Sequence, residues 1–205
     1  MEGKHKIIAV ILIILLILMG SYAIITYKNA QDNNEFKELL KNASNLENIT
    51  DEHYKEAYSG KSMSGSDFKS FTESILENCT KESDMLIEFK NKTFNQTQKE
   101  YLEIEINRLQ KEQQAKEKAV DNANQYQRYL NGEITASKYK ELSGIIDNDT
   151  DRIENEIGMI KEDAITYINN HQDLKDTLKE LNIDEDFYKN ELGGTSGNGV
   201  IYLTK

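Results

Sequence analysis

The chain has 205 residues, 36 acidic against 25 basic, a formal net charge of −11 and no proline. That balance excludes nucleic acid as a partner, because counterion release needs clustered Lys and Arg and residues 29–205 hold no basic patch. One cysteine, Cys79, excludes an internal disulfide and a cysteine-rich metal site.

Residues 1–6 read as a short cytoplasmic N-terminus. The segment 7–27 is apolar except for Gly20, Ser21 and Thr26. A run of about 20 apolar residues spans a bilayer as a helix. Lys4, Lys6 and Lys28 flank it, and Tyr22 and Tyr27 stand where interfacial anchors belong. The expectation is a single-pass signal anchor. Cleavage after Ala23 is the competing reading, but the apolar run continues through Ile24 and Ile25.

Lysine counts on the two flanks do not fix the orientation. The Asn-x-Ser/Thr sequons supply a second clue. Composition alone places roughly two, and the chain carries six: Asn42, Asn48, Asn78, Asn91, Asn95 and Asn148. All follow the apolar segment. An Asn-linked glycan must sit on a surface, so these six are candidate glycosylation sites and the domain is expected outside the cytoplasm.

A polar linker is expected over 28–34, then a helical domain over 35–192. The first helix carries Phe36, Leu39, Leu40, Ala43 and Leu46 at helical spacing. It is expected to pause at Asn48–Thr50 and resume through Tyr54 and Tyr58. Ser59–Gly65 reads as a turn, with Ser64 or Ser66 as the cap of a second helix bearing Phe68, Phe71, Ile75, Leu76, Leu86 and Phe89. Asn91–Thr97 reads as a polar interruption.

The third helix, Gln98–Leu130, alternates steps of four and three through Leu102, Ile106, Leu109, Gln113, Lys116, Val120, Ala123, Gln127 and Leu130. That is a heptad seam with a polar middle. Leu102, Ile106, Leu109, Val120, Ala123 and Leu130 are the candidate interaction seam for a partner helix or a second copy. Intramolecular core is the other reading of the same residues.

Asn131-Gly132 ends this helix, and Thr135 or Ser137 caps a fourth. Its seam runs through Leu142, Ile146, Ile153, Ile157, Ile160, Ala164 and Ile168, with a break expected near Asp147–Thr150. A short helix with Leu174, Leu178 and Leu181 follows, then one or two turns over Asp184–Leu192. Residues 193–205 read as a glycine-rich flexible tail ending in the strand-like Val200–Leu203. The fold class is therefore all-α: an N-terminal transmembrane helix, then an elongated antiparallel bundle of two helical hairpins with about four helices, a short C-terminal helix and a tail.

The two hairpin junctions resemble each other at an offset of 71 residues. Ser64 matches Thr135, Phe68 matches Tyr139, and Ile75 matches Ile146. Each combines a breaker, an apolar plug and a capping hydroxyl, a recipe on which any helical hairpin converges.

Motifs that carry chemistry are missing. His5, His53 and His171 have no spaced ligand partner, so no metal is expected. Asp147–Asp151 opens like a calcium loop, but Arg152 and Gly158 stand where the EF-hand needs Gly and Glu. Nothing places Cys79 or a serine beside a base. The expectation is no enzyme and no cofactor: a membrane-anchored surface protein whose acidic helical ectodomain serves protein interaction or scaffolding. Two rivals stand beside it. One is an extracytoplasmic ligand-binding or sensor bundle with a pocket around Tyr126, Tyr129 and Tyr139. The other is a cytoplasm-facing membrane tether.

Overall fold

A computed structural model describes the backbone of residues 2–57, 62–92, 95–183, 185–189 and 202–204, with side chains over 17–50, 52–53, 64–92, 95–183 and 185–189. The elements in chain order are α1 (Glu2–Ala57), β1 (Ser62–Ser64), α2 (Gly65–Lys90), α3 (Gln96–Leu130), α4 (Ala136–Asn169), α5 (Gln172–Glu180), α6 (Glu185–Lys189) and β2 (Tyr202–Thr204). Among the described residues the protein is all-α in character, with six helices in a bundle-like packing.

α1 corrects two expectations at once. Residues 28–34 are helix rather than linker, and no pause occurs at Asn48–Thr50. The reason is local. Asn29–Asn34 holds polar residues but no glycine or proline, and polar residues are tolerated on a solvated helix. Thr50 turns its hydroxyl back to the Leu46 carbonyl at 3.1 Å, so it sits within the helix instead of ending it.

The other boundaries follow side-chain caps. Ser64 accepts from the Asp67 N–H at the start of α2. Asn95 accepts from the Gln98 N–H at 2.9 Å while Gln98 Oε1 accepts from the Asn95 N–H at 3.3 Å. This capping box starts α3 two residues earlier than expected. Thr135 accepts from the Lys138 N–H to start α4, so Ser64 and Thr135 play the same part at the two matched junctions. Gly132, at φ 75°, supplies the left-handed residue after α3. α4 is continuous through Asp147–Thr150, where Thr150 bonds back to Ile146.

α3 is the central element. It packs against α2 and α4, and α1 lies beside α2. The main core joins Phe36, Leu39 and Leu40 of α1, Leu86 of α2, Tyr101, Leu102 and Leu109 of α3, Ala164 and Ile168 of α4, Leu174 and Leu178 of α5, and Tyr188 of α6. A smaller cluster of Ala115, Ile153 and Ile157 extends it along α3 and α4. α1 and α3 run in the same direction: Asn33 meets Gln98, Phe36 meets Tyr101, and Glu47 meets Arg108.

The tail differs from expectation at its end. Tyr202–Thr204 pairs in parallel with Ser62–Ser64, Met63 opposite Leu203. Tyr202 and Leu203 of that strand-like end thus have a partner within the chain, and a tail flexible throughout is not what is found. Residues 193–201 lie outside the described residues.

Candidate functional site

The side chains from Ile17 to Gln31 are exposed on every side of α1. Ile17, Leu18, Met19, Tyr22, Ile24, Ile25 and Tyr27 are each more than half exposed. Below Asn33 the helix therefore stands free of the bundle. Ser21 and Thr26 fold their hydroxyls onto the carbonyls of Ile17 and Tyr22, each at 2.8 Å. This hides their only side-chain polar groups in the helix itself. Among the described residues no helix is long and apolar enough to cross a membrane. The expected span begins at Ile7, and the side chains of residues 7–16 lie outside those described.

Inside the bundle the most unusual chemistry is a buried ionic network, which the sequence reading missed. Arg108 is 4% exposed. Its Nη2 donates to Glu47 of α1 at 2.7 Å, its Nε to Glu105 at 3.0 Å and its Nη1 to Glu112 at 2.8 Å. Glu82 of α2 is buried beside them. The Tyr188 hydroxyl of α6 donates to Glu105 at 2.8 Å and shares a 2.7 Å hydrogen bond with the Tyr101 hydroxyl. One guanidinium thus ties α1, α3 and, through Tyr188, α6.

Four carboxylates face that one buried cation, so they cannot all stay ionised. Burial pushes Glu47 up to about 7, against the pull of Arg108 and with the push of Glu112 and Glu105. Burial and then Glu47 hold Glu82 well above the ordinary carboxylate range. Burial raises Glu112 too, but Arg108, Lys116 and Lys161 outweigh it and keep that carboxyl low. Burial disfavours charged Arg108, yet the surrounding glutamates more than offset it and hold the guanidinium protonated.

The network is buried except at Glu112, which is 23% exposed, and has no nucleophile poised beside a base. Among the described residues no group of three or more His, Cys, Asp or Glu is placed to hold a metal ion. The sequence signal for it was slight. Arg108 adjoins the seam residue Leu109, and it is one of only three arginines among 25 basic residues. A planar five-donor fork suits burial among carboxylates better than lysine does.

The candidate seam is spent within the chain. Leu102, Ile106, Leu109 and Ala123 are buried, and Val120 and Leu130 are half-buried. Leu102, Ile106 and Leu109 belong to the main core, which leaves no free stripe there for a partner helix. The tyrosine trio also fills itself. Tyr129 and Tyr139 stack at 5.6 Å and 16°, with Tyr126 within 6.2 Å of Tyr129 and 5.6 Å of Tyr139. Ring packs on ring where the sensor reading wanted a polar cavity.

Of the sequon asparagines, Asn42, Asn48, Asn91, Asn95 and Asn148 are exposed and Asn78 is half-buried. Asn42 and Asn48 lie on α1, Asn91 and Asn95 at the α2–α3 turn, and Asn148 on α4. Cys79 is buried, its thiol donating to the Leu109 carbonyl at 3.6 Å. Burial, then Glu112 and Glu82, push that thiol up to about 12, so a disulfide to a second copy is not open to the folded chain. His53 Nδ1 and Asn122 Oδ1 are buried atoms without a hydrogen-bond partner among the described residues.

Compared with protein-family models, curated proteins and solved structures, the chain matches none.

Proposed function

We propose that the chain is a single-pass, membrane-anchored protein whose acidic helical domain stands outside the cytoplasm and serves protein interaction or scaffolding. One observation carries the reading: α1 continues out of the bundle as a bare helix that is apolar on every face over Ile17–Tyr27. Burying a large apolar side chain is worth roughly 2 kcal/mol. Seven such residues, each left roughly two-thirds in water, would forgo about 10 kcal/mol, comparable with the whole net stability of a domain. A helix hydrophobic all round belongs in lipid or in a protein interior, and the bundle offers it no interior. The apolar composition of residues 7–16 extends the same stretch toward the length a bilayer needs.

The exposed sequon asparagines favour the extracytoplasmic side, since acceptors at Asn42, Asn48 and Asn148 are sterically open. An interaction role agrees with a bundle whose buried Arg108 network is engaged in holding helices together. The test joins alkaline extraction of native membranes with protease shaving of intact cells. The proposal expects the chain to stay in the membrane pellet, and peptides from 35–192 to be released with glycan on sequon asparagines. Quantitative release into the alkaline supernatant would refute the anchor. Protection in intact cells, lost on lysis, would reverse the orientation.

A further inference from the structure

The parallel alignment of α1 and α3 fixes which end of the bundle faces the apolar helix. Asn33 of α1 accepts from Gln98 in the first turn of α3 at 2.9 Å. Tyr27, the last residue of the apolar run, lies six residues earlier, about 9 Å further down the helix at 1.5 Å per residue. The α2–α3 turn, from Asn91 to the cap at Asn95, also lies just below Gln98. The last turn of α4 sits at this level too, since the Tyr167 hydroxyl donates to Glu100 at 2.8 Å and to the Thr97 carbonyl at 3.3 Å. Turn, corner and end of the apolar run are thus nearly level.

The chemistry of that end differs from the rest of the chain. Asn91, Asn95, Gln96, Asn170 and Gln172 are all exposed there. Amides donate and accept but carry no charge. The charges around them are of both signs, with Lys28, Lys92 and Lys175 offset by Asp32, Asp173 and Glu185, in a chain of net charge −11. A strongly acidic face would be repelled by anionic lipid and a basic one drawn to it; this end is suited to neither and matches the phosphate and ester oxygens of a zwitterionic surface.

We propose that the α2–α3 turn and the α4–α5 corner rest on the lipid headgroups, so that the bundle stands upright and the α3–α4 turn is its outer tip. The inference rests on the membrane-anchor reading above. α3 has 35 residues, so the turn at Asn131–Thr135 is held about 50 Å beyond the headgroups. α1 is one unbroken helix from the apolar run into the core, so the bundle is joined to its anchor without a hinge.

The test uses the full chain in phosphatidylcholine vesicles carrying an acceptor dye on a headgroup lipid. A donor dye is attached through Asn91→Cys in one variant and Asn131→Cys in another. Both positions are exposed, and buried Cys79 does not compete for label. Circular dichroism checks that each variant keeps its helix content. The expected result is strong energy transfer from position 91 and transfer near background from position 131. Equal transfer from both, in chains that float with the vesicles, overturns the upright placement and leaves the anchor standing. Stronger transfer from position 131 overturns it as well. Chains that do not float with the vesicles overturn the anchor and this inference together.

Discussion

The Arg108 network makes stability depend on pH in a direction opposite to the ordinary carboxylate case. Glu47 has its pKa raised from 4.5 to about 7, chiefly by burial. A raised folded pKa means that the folded state holds its proton more tightly than the unfolded state does. The stabilisation is therefore complete below about pH 4.5 and is lost as pH rises through about 7. A gap of about 2.5 pH units at about 1.4 kcal/mol each gives about 3 kcal/mol, most of it spent between pH 5 and pH 8. Glu82 is raised for the same reason and adds to the same slope. Glu47→Gln keeps the shape and the acceptor for Arg108 but cannot ionise. In urea unfolding of the full chain in detergent, followed by circular dichroism, the natural chain loses stability from pH 5 to pH 8. Glu47→Gln matches it at pH 5, exceeds it at pH 8 by about 2–3 kcal/mol, and shows a shallower slope. Any slope that remains belongs to Glu82 and vanishes in the double variant with Glu82→Gln. The contrary result is a Glu47→Gln chain less stable at both pH values by about 3–5 kcal/mol, the cost of breaking a buried ion pair. That would mean Glu47 is ionised against Arg108 throughout, and the reasoning fails.

Three further outcomes are expected. Leu109→Ala, at a fully buried seam position, lowers unfolding stability by about 2–5 kcal/mol, whereas Met159→Ala, at a site 60% exposed, changes it by less than about 0.5 kcal/mol. Thr135→Ala removes the cap of α4 and lowers stability by about 1 kcal/mol; a change below measurement error would mean the cap contributes nothing. Cys79 reacts with a disulfide reagent in the native chain no faster than the chain opens, because its thiol is buried and held protonated; reaction at the rate of a free peptide thiol would refute that placement.

Three helix boundaries were legible in the sequence from a capping side chain or a glycine, whereas the Asn95 capping box that starts α3 at Gln96 was not. Ser64, Thr135 and Gly132 each stand at an end read from sequence. The buried residues of α4 from Ile153 to Ile168 fall on the periodic seam. Two other kinds of feature escaped. Polar stretches were read as breaks when nothing in them could break a helix: Asn29–Asn34, Asn48–Thr50 and Asp147–Thr150 are all helical. Hydrophilicity alone does not end a helix, whereas proline or a left-handed glycine does. The other loss was the Arg108 network. Periodicity assigns charged residues to solvated faces, and it cannot register that Glu47 and Arg108, 61 positions apart, meet inside the core. The seam was read as a heptad with a polar middle, and the occupant of its Leu102–Leu109 part is this chain's own α1, α2, α4, α5 and α6, which only tertiary packing decides.

The pairing of β1 with β2 has a consequence for the order in which the chain assembles. Every major helix contact joins neighbours in sequence, α1 with α2, α2 with α3, α3 with α4, so each can form as soon as the next helix is made. Ser62 and Tyr202 are 140 positions apart, and closing so large a loop brings few contacts to offset its entropy. During synthesis, which proceeds from the N-terminal end, β1 waits unpaired through the making of five helices before its partner exists. The strand pair is therefore the last joint to close, a seal on a bundle already built. A substitution in Tyr202–Thr204 should leave the helices' refolding rate untouched and be felt only at the entrance to α2.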